Sequence, residues 1–480
     1  MTRRSLLALS VGLSVGLSVA LSVAFSGALS VAAPAPLGAQ DAAAPPSVDL
    51  RRGPLRVSPD GRRLVHADGT PFFWLGDTAW ELFHRLTREE AALYLDDRAR
   101  KGFTVVQAVV LAEFDGLTVP NAYGDTPLVG GDPNLPNEGY FRHVDHVVGA
   151  AARRGMYVGM LPTWGDKFNK RWGVGPEVFT PENARAYGEF LGRRYRDRPV
   201  VWILGGDRIP ESDRHLAIVR AMAEGLRAGD GGAHLMTYHP MGGQTSSKFF
   251  HDDAWLSLNM FQSSHARRDV PNYRLVEGDA ARRPPKPVVD GEPPYEDHPI
   301  NWDPKNGWFD EADVRKAAYW ALLAGAAGHT YGDHNVWQMW QPGRAPISAA
   351  RTPWREALRH PGSQQMAYVR RLFTSRPFLE LVPDQALLAA PPDSGAGHQR
   401  AARGRDRRWA FAYTPLGRPL AVRLDALRAP SVRAAWFDPR TGTTTAIGTY
   451  RAAGTRAFDP PGGEGRGRDW VLVLDGGARP

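Results

Sequence analysis

The 480-residue chain contains no cysteine, so neither disulfides nor thiolate-bound zinc can hold it together. No H-E-x-x-H spacing occurs, which removes the helix-borne zinc site of many metalloproteases. No glycine-rich phosphate loop follows the first strand candidate of the alternating region described below, which argues against a nucleotide-binding open sheet. No nucleic-acid motif accompanies the positive charge. Beyond residue 40 no apolar run is long enough to cross a membrane.

That last absence sets off the amino-terminus. "MTRRSLLALSVGLSVGLSVALSVAFSGALSVAAPAPLGAQ" (1–40) places Arg3 and Arg4 ahead of a long apolar run, followed by small residues suited to cleavage near Ala33 or Gln40. It reads as a signal peptide, with "TRRSLL" weakly similar to a twin-arginine signal. The expectation is a secreted or periplasmic protein with no stable membrane insertion after cleavage. An uncleaved anchor is the alternative. The repeated "LSV" is low complexity within this segment, not a fold repeat.

What is present in quantity is tryptophan. There are 15, and 12 of them lie between Trp74 and Trp354. Some must be core, but such a surplus also suits sugar rings, whose apolar C–H faces stack on indole. The hydrophobic share of 42% and charged share of 23% are ordinary for a chain with a full core. The formal net charge is +8, spread along the chain with one denser run, "RAARGRDRR" (400–408). It fits a solvated arginine-rich surface, or attraction to an acidic polymer.

Residues 41–54, "DAAAPPSVDLRRGP", read as a linker, and Asp60-Gly61 and Asp68-Gly69 mark hairpin turns just after it. From Pro71 strands and helices alternate. Apolar runs at 71–80, 103–111, 155–165, 199–207, 234–240, 255–265, 287–296 and 327–337 are separated or followed by helical periodicity. Thr87 and Glu90 form a capping box, Thr180 with Pro181 opens another helix, and Ser212 opens a third. Eight such repeats favour an α/β fold closed as a (β/α)8 TIM barrel over residues 55–380, with a doubly wound sheet as the alternative. After Pro377 short alternating runs between Gly, Pro and Asp turns predict a small all-β sandwich over residues 381–480.

In such a barrel the chemistry sits at the carboxyl ends of the strands. The polar groups ending each run are Asp77 and Trp80, Glu113 and Asp115, Trp164 and Asp166, Asp207, Tyr238 and His239, Gln262 and His265, Glu292, and His329 and Asp333. Two carboxylates stand out. Asp207 closes the fourth strand in "WILGGD", and Glu292 closes the seventh in "VVDGEPPYE". Nearly opposite strands can aim two carboxyls at one bond, as retaining glycosidases require. Asp207 could instead cap the next helix, although Ser212 is better placed. Asp290, Glu296 and Asp297 are rivals of Glu292.

"FFWLGDTAWELFHRLTREEAALYLDDRARKGFTVVQ" (72–107), "WILGGD", "FQSSH" and "VVDGEPPYE" together resemble the apiosidase-like domain of glycoside hydrolase family 140. "AWFDPRTG" (435–442) resembles the small β domain, labelled collagen-binding, that usually follows it. The resemblance implies a barrel, retaining hydrolysis with Asp207 as acid/base and Glu292 as nucleophile, and release of apiose from a complex, acidic pectin. Related barrels commonly carry Asn-Glu at the end of strand four, where this chain has Gly206-Asp207; the shorter side chain demands closer approach to the leaving oxygen.

Around the pair, Asp77 and Trp80 are expected to bond to and stack on the terminal sugar, and Trp164 to act as a platform. His239 and Gln262 are expected to bind hydroxyls or orient the nucleophile. His329 and Asp333 are expected to bind hydroxyls from a polar strand-eight loop rather than a metal, and no cofactor is called for. An exo-glycosidase for another sugar, or a non-catalytic carbohydrate-binding or adhesion protein, are the competing readings.

Overall fold

The computed structural model describes residues 47–391 and 393–477. The expected signal peptide and residues 41–46 of the expected linker lie outside them. Residues 47–54 lie against the barrel: the backbone N–H groups of Ser47 and Val48 donate to Arg154 and Gly155. A small antiparallel sheet follows, made of β1 (Leu55–Val57), β2 (Leu64–His66) and β3 (Pro71–Phe72).

Eight parallel strands then form the barrel: β4 (Trp74–Thr78), β5 (Val105–Leu111), β6 (Tyr157–Thr163), β7 (Val200–Gly205), β8 (Met236–His239), β9 (Asn259–Phe261), β10 (Val288–Asp290) and β11 (Gly328–Tyr331). Each lies inside one of the eight apolar runs. The ladder runs β8-β7-β6-β5-β4-β11-β10-β9. The seam between β8 and β9 is closed by single bonds instead of a ladder. Ser257 N donates to Met236 O, and Thr237 Oγ1 to Leu258 O, both at 2.8 Å.

The strands read as continuous apolar runs because both faces are covered. Trp74, Val105, Val109, Leu161, Ile203, Met260 and Val289 fill the barrel interior. Their neighbours in sequence, such as Leu75, Val106, Met160 and Trp202, face the helices. The helices start where the capping residues require. Thr87 and Glu90 close a reciprocal capping box on Arg88–Arg100, Thr180 and Asn183 one on Pro181–Tyr195, and Ser212 caps Asp213–Asp230. Asp207 is therefore released from any capping role.

The carboxyl-terminal region is all-β and antiparallel. One sheet has the order β12 (Leu381–Pro383), β13 (Arg400–Gly404), β14 (Trp409–Thr414), β19 (Trp470–Gly477), β16 (Ser431–Phe437), β17 (Thr444–Arg451). The other pairs β15 (Leu420–Arg423) with β18 (Thr455–Phe458). Alternation along β14 divides its side chains. Ala410 and Ala412 pack with Leu420, Val422 and Phe458 from the second sheet. Phe411 and Tyr413 pack instead on barrel-side residues Tyr319, Phe373 and Phe378. The large sheet is thus buried on two sides, one of them the barrel. Arg315 on the barrel helix Glu311–Leu323 forms a buried bidentate pair with Asp469, at 2.6 and 3.1 Å.

Candidate active site

Strand β7 ends in a turn that only glycine could build. Gly205 and Gly206 have φ of +91° and +107°. A Cβ on Gly205 would lie 2.5 Å from His239 O, and one on Gly206 2.8 Å from Gly165 N. Asp207 follows in the left-handed region at φ +53°, an uncommon conformation that clusters at functional sites. The turn lifts its carboxyl out of the strand and into a cavity. Arg208 Nη1 donates to the Asp207 carbonyl at 2.8 Å and to Oδ2 at 3.2 Å.

Glu292 enters the same cavity from the end of β10. Its turn is held by Gly291 N donating to Phe261 O and by the Gln107 amide donating to Gly291 O. Two histidines hold its carboxylate. His265 Nε2 donates to Oε1 at 2.8 Å. His239 Nε2 lies 3.0 Å from Oε2, off the line of a well-directed hydrogen bond. Asp207 N donates to His239 Nδ1 at 3.2 Å, which leaves the proton of the neutral ring on Nε2, facing Glu292. His265 in turn stacks on His298, ring centroids 4.3 Å apart, and packs on Tyr295.

These surroundings drive the two carboxyls apart. Burial, then the charge of Glu292, push Asp207 up to about 7 despite Arg208, His239 and Gln262. Burial would raise Glu292 too, but the N–H groups that His239 and His265 turn toward its carboxylate outweigh it and hold the group down at about 2. Near neutral pH the cavity can thus present one carboxylic acid and one carboxylate, the division of labour an acid and a nucleophile need.

The cavity has a volume of about 440 Å³, toward the lower end of small-molecule sites. Trp80, Trp164 and Gln262 line it with Asp207 and Glu292, and the Trp80 and Trp164 rings are 5.2 Å apart. His239 is fully buried behind them and reaches the cavity through Glu292, the orienting half of its expectation.

Three expected substrate contacts turn away from the cavity. Asp77 faces outward, where Arg98 Nε donates to its Oδ2 at 2.6 Å and Tyr94 OH bonds to the same oxygen. Its position at the end of a strand was right for the rim, but the alternation of the strand puts it on the helix side. His329 shares that outward face with Leu75; among the described residues neither ring nitrogen has a hydrogen-bond partner, and burial pushes it down to about 3, so it stays neutral. Asp333 caps the helical turn His334–Trp337 and binds His360 Nδ1 at 2.6 Å. The rivals of Glu292 are also occupied elsewhere. Asp290 bonds to Ser263 and Asn272, Glu296 to Tyr331 and Gly362, and Asp297 to Arg351.

Other lining residues were beyond sequence reasoning. Trp302 and Ile347 arrive from segments with no periodic signal, Tyr295 and Trp337 from the far ends of the seventh and eighth apolar runs, and Trp172 and Met241 from the loops after β6 and β8. His265 and Glu113 did carry one, as polar strand-end groups, but nothing local singled them out. Among the described residues, no group of three or more His, Asp or Glu side chains could hold a metal ion.

The comparisons with known proteins bear on the fold and the family. A solved structure described as a glycoside hydrolase is 35% identical, with a TM-score of 0.82 over 89% of this chain and 98% of its own. Another, described as a glycoside hydrolase family 5 protein from Bacteroides vulgatus, is 34% identical, with a TM-score of 0.83 over 89% and 95%. No curated protein matches the chain. A barrel with this acidic cavity and these relatives defines a glycoside hydrolase. More narrowly, the family described as "Apiosidase-like, catalytic domain" matches residues 58–380, and the chain belongs to it. The family described as "Putative collagen-binding domain of a collagenase" matches residues 382–475.

Proposed function

We propose that the protein is a secreted, retaining exo-glycosidase that removes a terminal pentose, apiose, from the side chains of acidic pectic glycans. The observation that carries the reading is the opposed state of Asp207 and Glu292 in one tryptophan-walled cavity. Asp207, protonated, gives its proton to the leaving glycosidic oxygen as Glu292 attacks the anomeric carbon. The sugar is then held as an ester of Glu292. Asp207, now a carboxylate, takes a proton from water, which attacks the same carbon and frees Glu292.

The small cavity suits a chain end better than the middle of a polymer. The net charge of +8 favours an acidic glycan, and the apolar leader favours export. Family membership supports apiose by analogy only.

The test is hydrolysis of a panel of aryl glycosides and pectic oligosaccharides, apiosides included, by the purified protein and by Glu292→Gln. Release of apiose by the wild type and not by the variant is the expected result. Release of another sugar replaces the pentose and keeps the mechanism. Sugar binding without turnover overturns the reading in favour of a binding protein.

A further inference from the structure

The mechanism above uses two carboxyls, but a third lines the cavity. Glu113 lies on the loop after β5, its side chain 14% exposed. The next residue, Phe114, also lines the cavity and has φ +58°. Among the described residues the Glu113 carboxyl has no hydrogen-bond partner. Its one ion-pair contact is Arg208 Nη2 at 4.0 Å, beyond hydrogen-bond reach, and Nη2 is itself buried without a partner. A pair left open in a largely apolar cavity is incomplete, because unpaired polar groups there are costly unless a ligand meets them.

The location of Glu113 says which part of the ligand it would meet. Arg208 holds Asp207 through Nη1 and points Nη2 at Glu113. The face of the same guanidinium lies 4.2 Å from the Trp172 ring, which is half exposed at the mouth of the cavity. Glu113 therefore sits on the acid's side of the cavity, joined to Asp207 through Arg208, whereas Glu292 is held by the two histidines. The proton donor of a glycosidase faces the leaving group.

Resting on the assignment of Asp207 as acid, we propose that Glu113 is a specificity-determining residue that receives ring hydroxyls of the leaving-group sugar. Burial, then the neighbouring Asp207, push its carboxyl up; in either state its oxygens accept from hydroxyls, and when protonated it carries one donor and one acceptor. Adjacent hydroxyls on a sugar ring offer the matching acceptor and donor. An aryl leaving group offers neither.

The test compares Glu113→Gln, Glu113→Ala and Asp207→Asn on two substrate types. The first is a series of aryl glycosides, from phenyl to dinitrophenyl, of the sugar that the wild type releases. The second is an oligosaccharide carrying that sugar. Glu113→Ala should keep kcat/KM on every aryl glycoside within about threefold and lose about 10-fold or more on the oligosaccharide, the effect of unpairing a substrate hydroxyl, and Glu113→Gln, which keeps a donor and an acceptor, should show the same split with a smaller loss. Equal loss on both substrate types, or loss on neither, overturns the inference. A dependence on leaving-group ability steeper than wild type in the Glu113 variants also overturns it, because Glu113 would then be the acid. That steepening is expected of Asp207→Asn; if it is missing there while the Glu113 variants keep their split, the role of Asp207 fails and that of Glu113 stands. Unchanged thermal unfolding of Glu113→Ala and Glu113→Gln separates these outcomes from misfolding.

Discussion

His239 joins the two carboxyl-bearing turns of the cavity. Its Nδ1 accepts the backbone N–H of Asp207 at 3.2 Å, and its Nε2 lies 3.0 Å from Glu292 Oε2. One imidazole thus ties the position of one group to the ionisation of the other. Glu292 is held ionised in part because the Asp207 turn dictates which nitrogen of His239 carries the proton.

Activity should require Glu292 ionised and Asp207 protonated. A pH profile of kcat/KM should be flat between limbs near about 2 and about 7, falling on the alkaline side as Asp207 loses its proton. Asp207→Asn should abolish the alkaline limb and lower turnover on sugar leaving groups by about 10²–10⁴-fold.

The acidic limb should respond to the histidines. Removing one donor from Glu292 in His265→Ala lets burial reassert itself and raises the carboxyl toward its ordinary range. Activity near pH 4 should fall more than activity near pH 6. A uniform loss across the profile would show that His265 acts only through packing.

Asp207 should cost stability at neutral pH. A carboxyl raised from 3.8 to about 7 by folding gives up stability as pH climbs through that window, by at most about 4 kcal/mol for a shift of this size. Asp207→Asn should therefore melt at a higher temperature than wild type at pH 8, with no difference at pH 3. Parallel thermal scans at the two pH values check the sign.

Asp77 belongs to the fold and not to the substrate. Asp77→Asn takes from the fully buried guanidinium of Arg98 its buried counter-charge and leaves it only Asp97 at Nη1, and breaking a buried pair costs about 3–5 kcal/mol. Denaturant titration should show that loss, while KM of the surviving folded fraction stays unchanged. A raised KM with full stability would return Asp77 to the site.

The carboxyl-terminal domain should behave as part of one folding unit with the barrel. Arg315→Met should cost about 3–5 kcal/mol by leaving Asp469 buried without its cation, with only the Tyr413 hydroxyl still bonded to it. The double change Arg315→Met with Asp469→Leu should recover much of it. Unfolding followed by tryptophan fluorescence measures both.

Periodicity and capping chemistry made the architecture legible before any coordinates. The eight apolar runs each contain a barrel strand because a parallel strand covered on both faces needs an unbroken run. Thr87, Thr180 and Ser212 open their helices because orphan N–H groups need an acceptor at that position. Asp207 and Glu292 were visible as acids ending opposite strands.

The direction of each strand-end side chain was not in the pattern. Asp77, His329 and Asp333 occupy the same kind of position as Trp80 and Glu292, yet strand alternation and a helix cap turn them away. Whether a strand-end residue faces the axis depends on where the ladder stops and how the next turn leaves it. The state of the two acids was equally hidden. It depends on burial and on His239 and His265, which come from other strands and meet Glu292 only when the barrel closes. Local sequence determined the elements and the candidates, and only tertiary structure decided which of them meet, because pairing across the barrel is non-local.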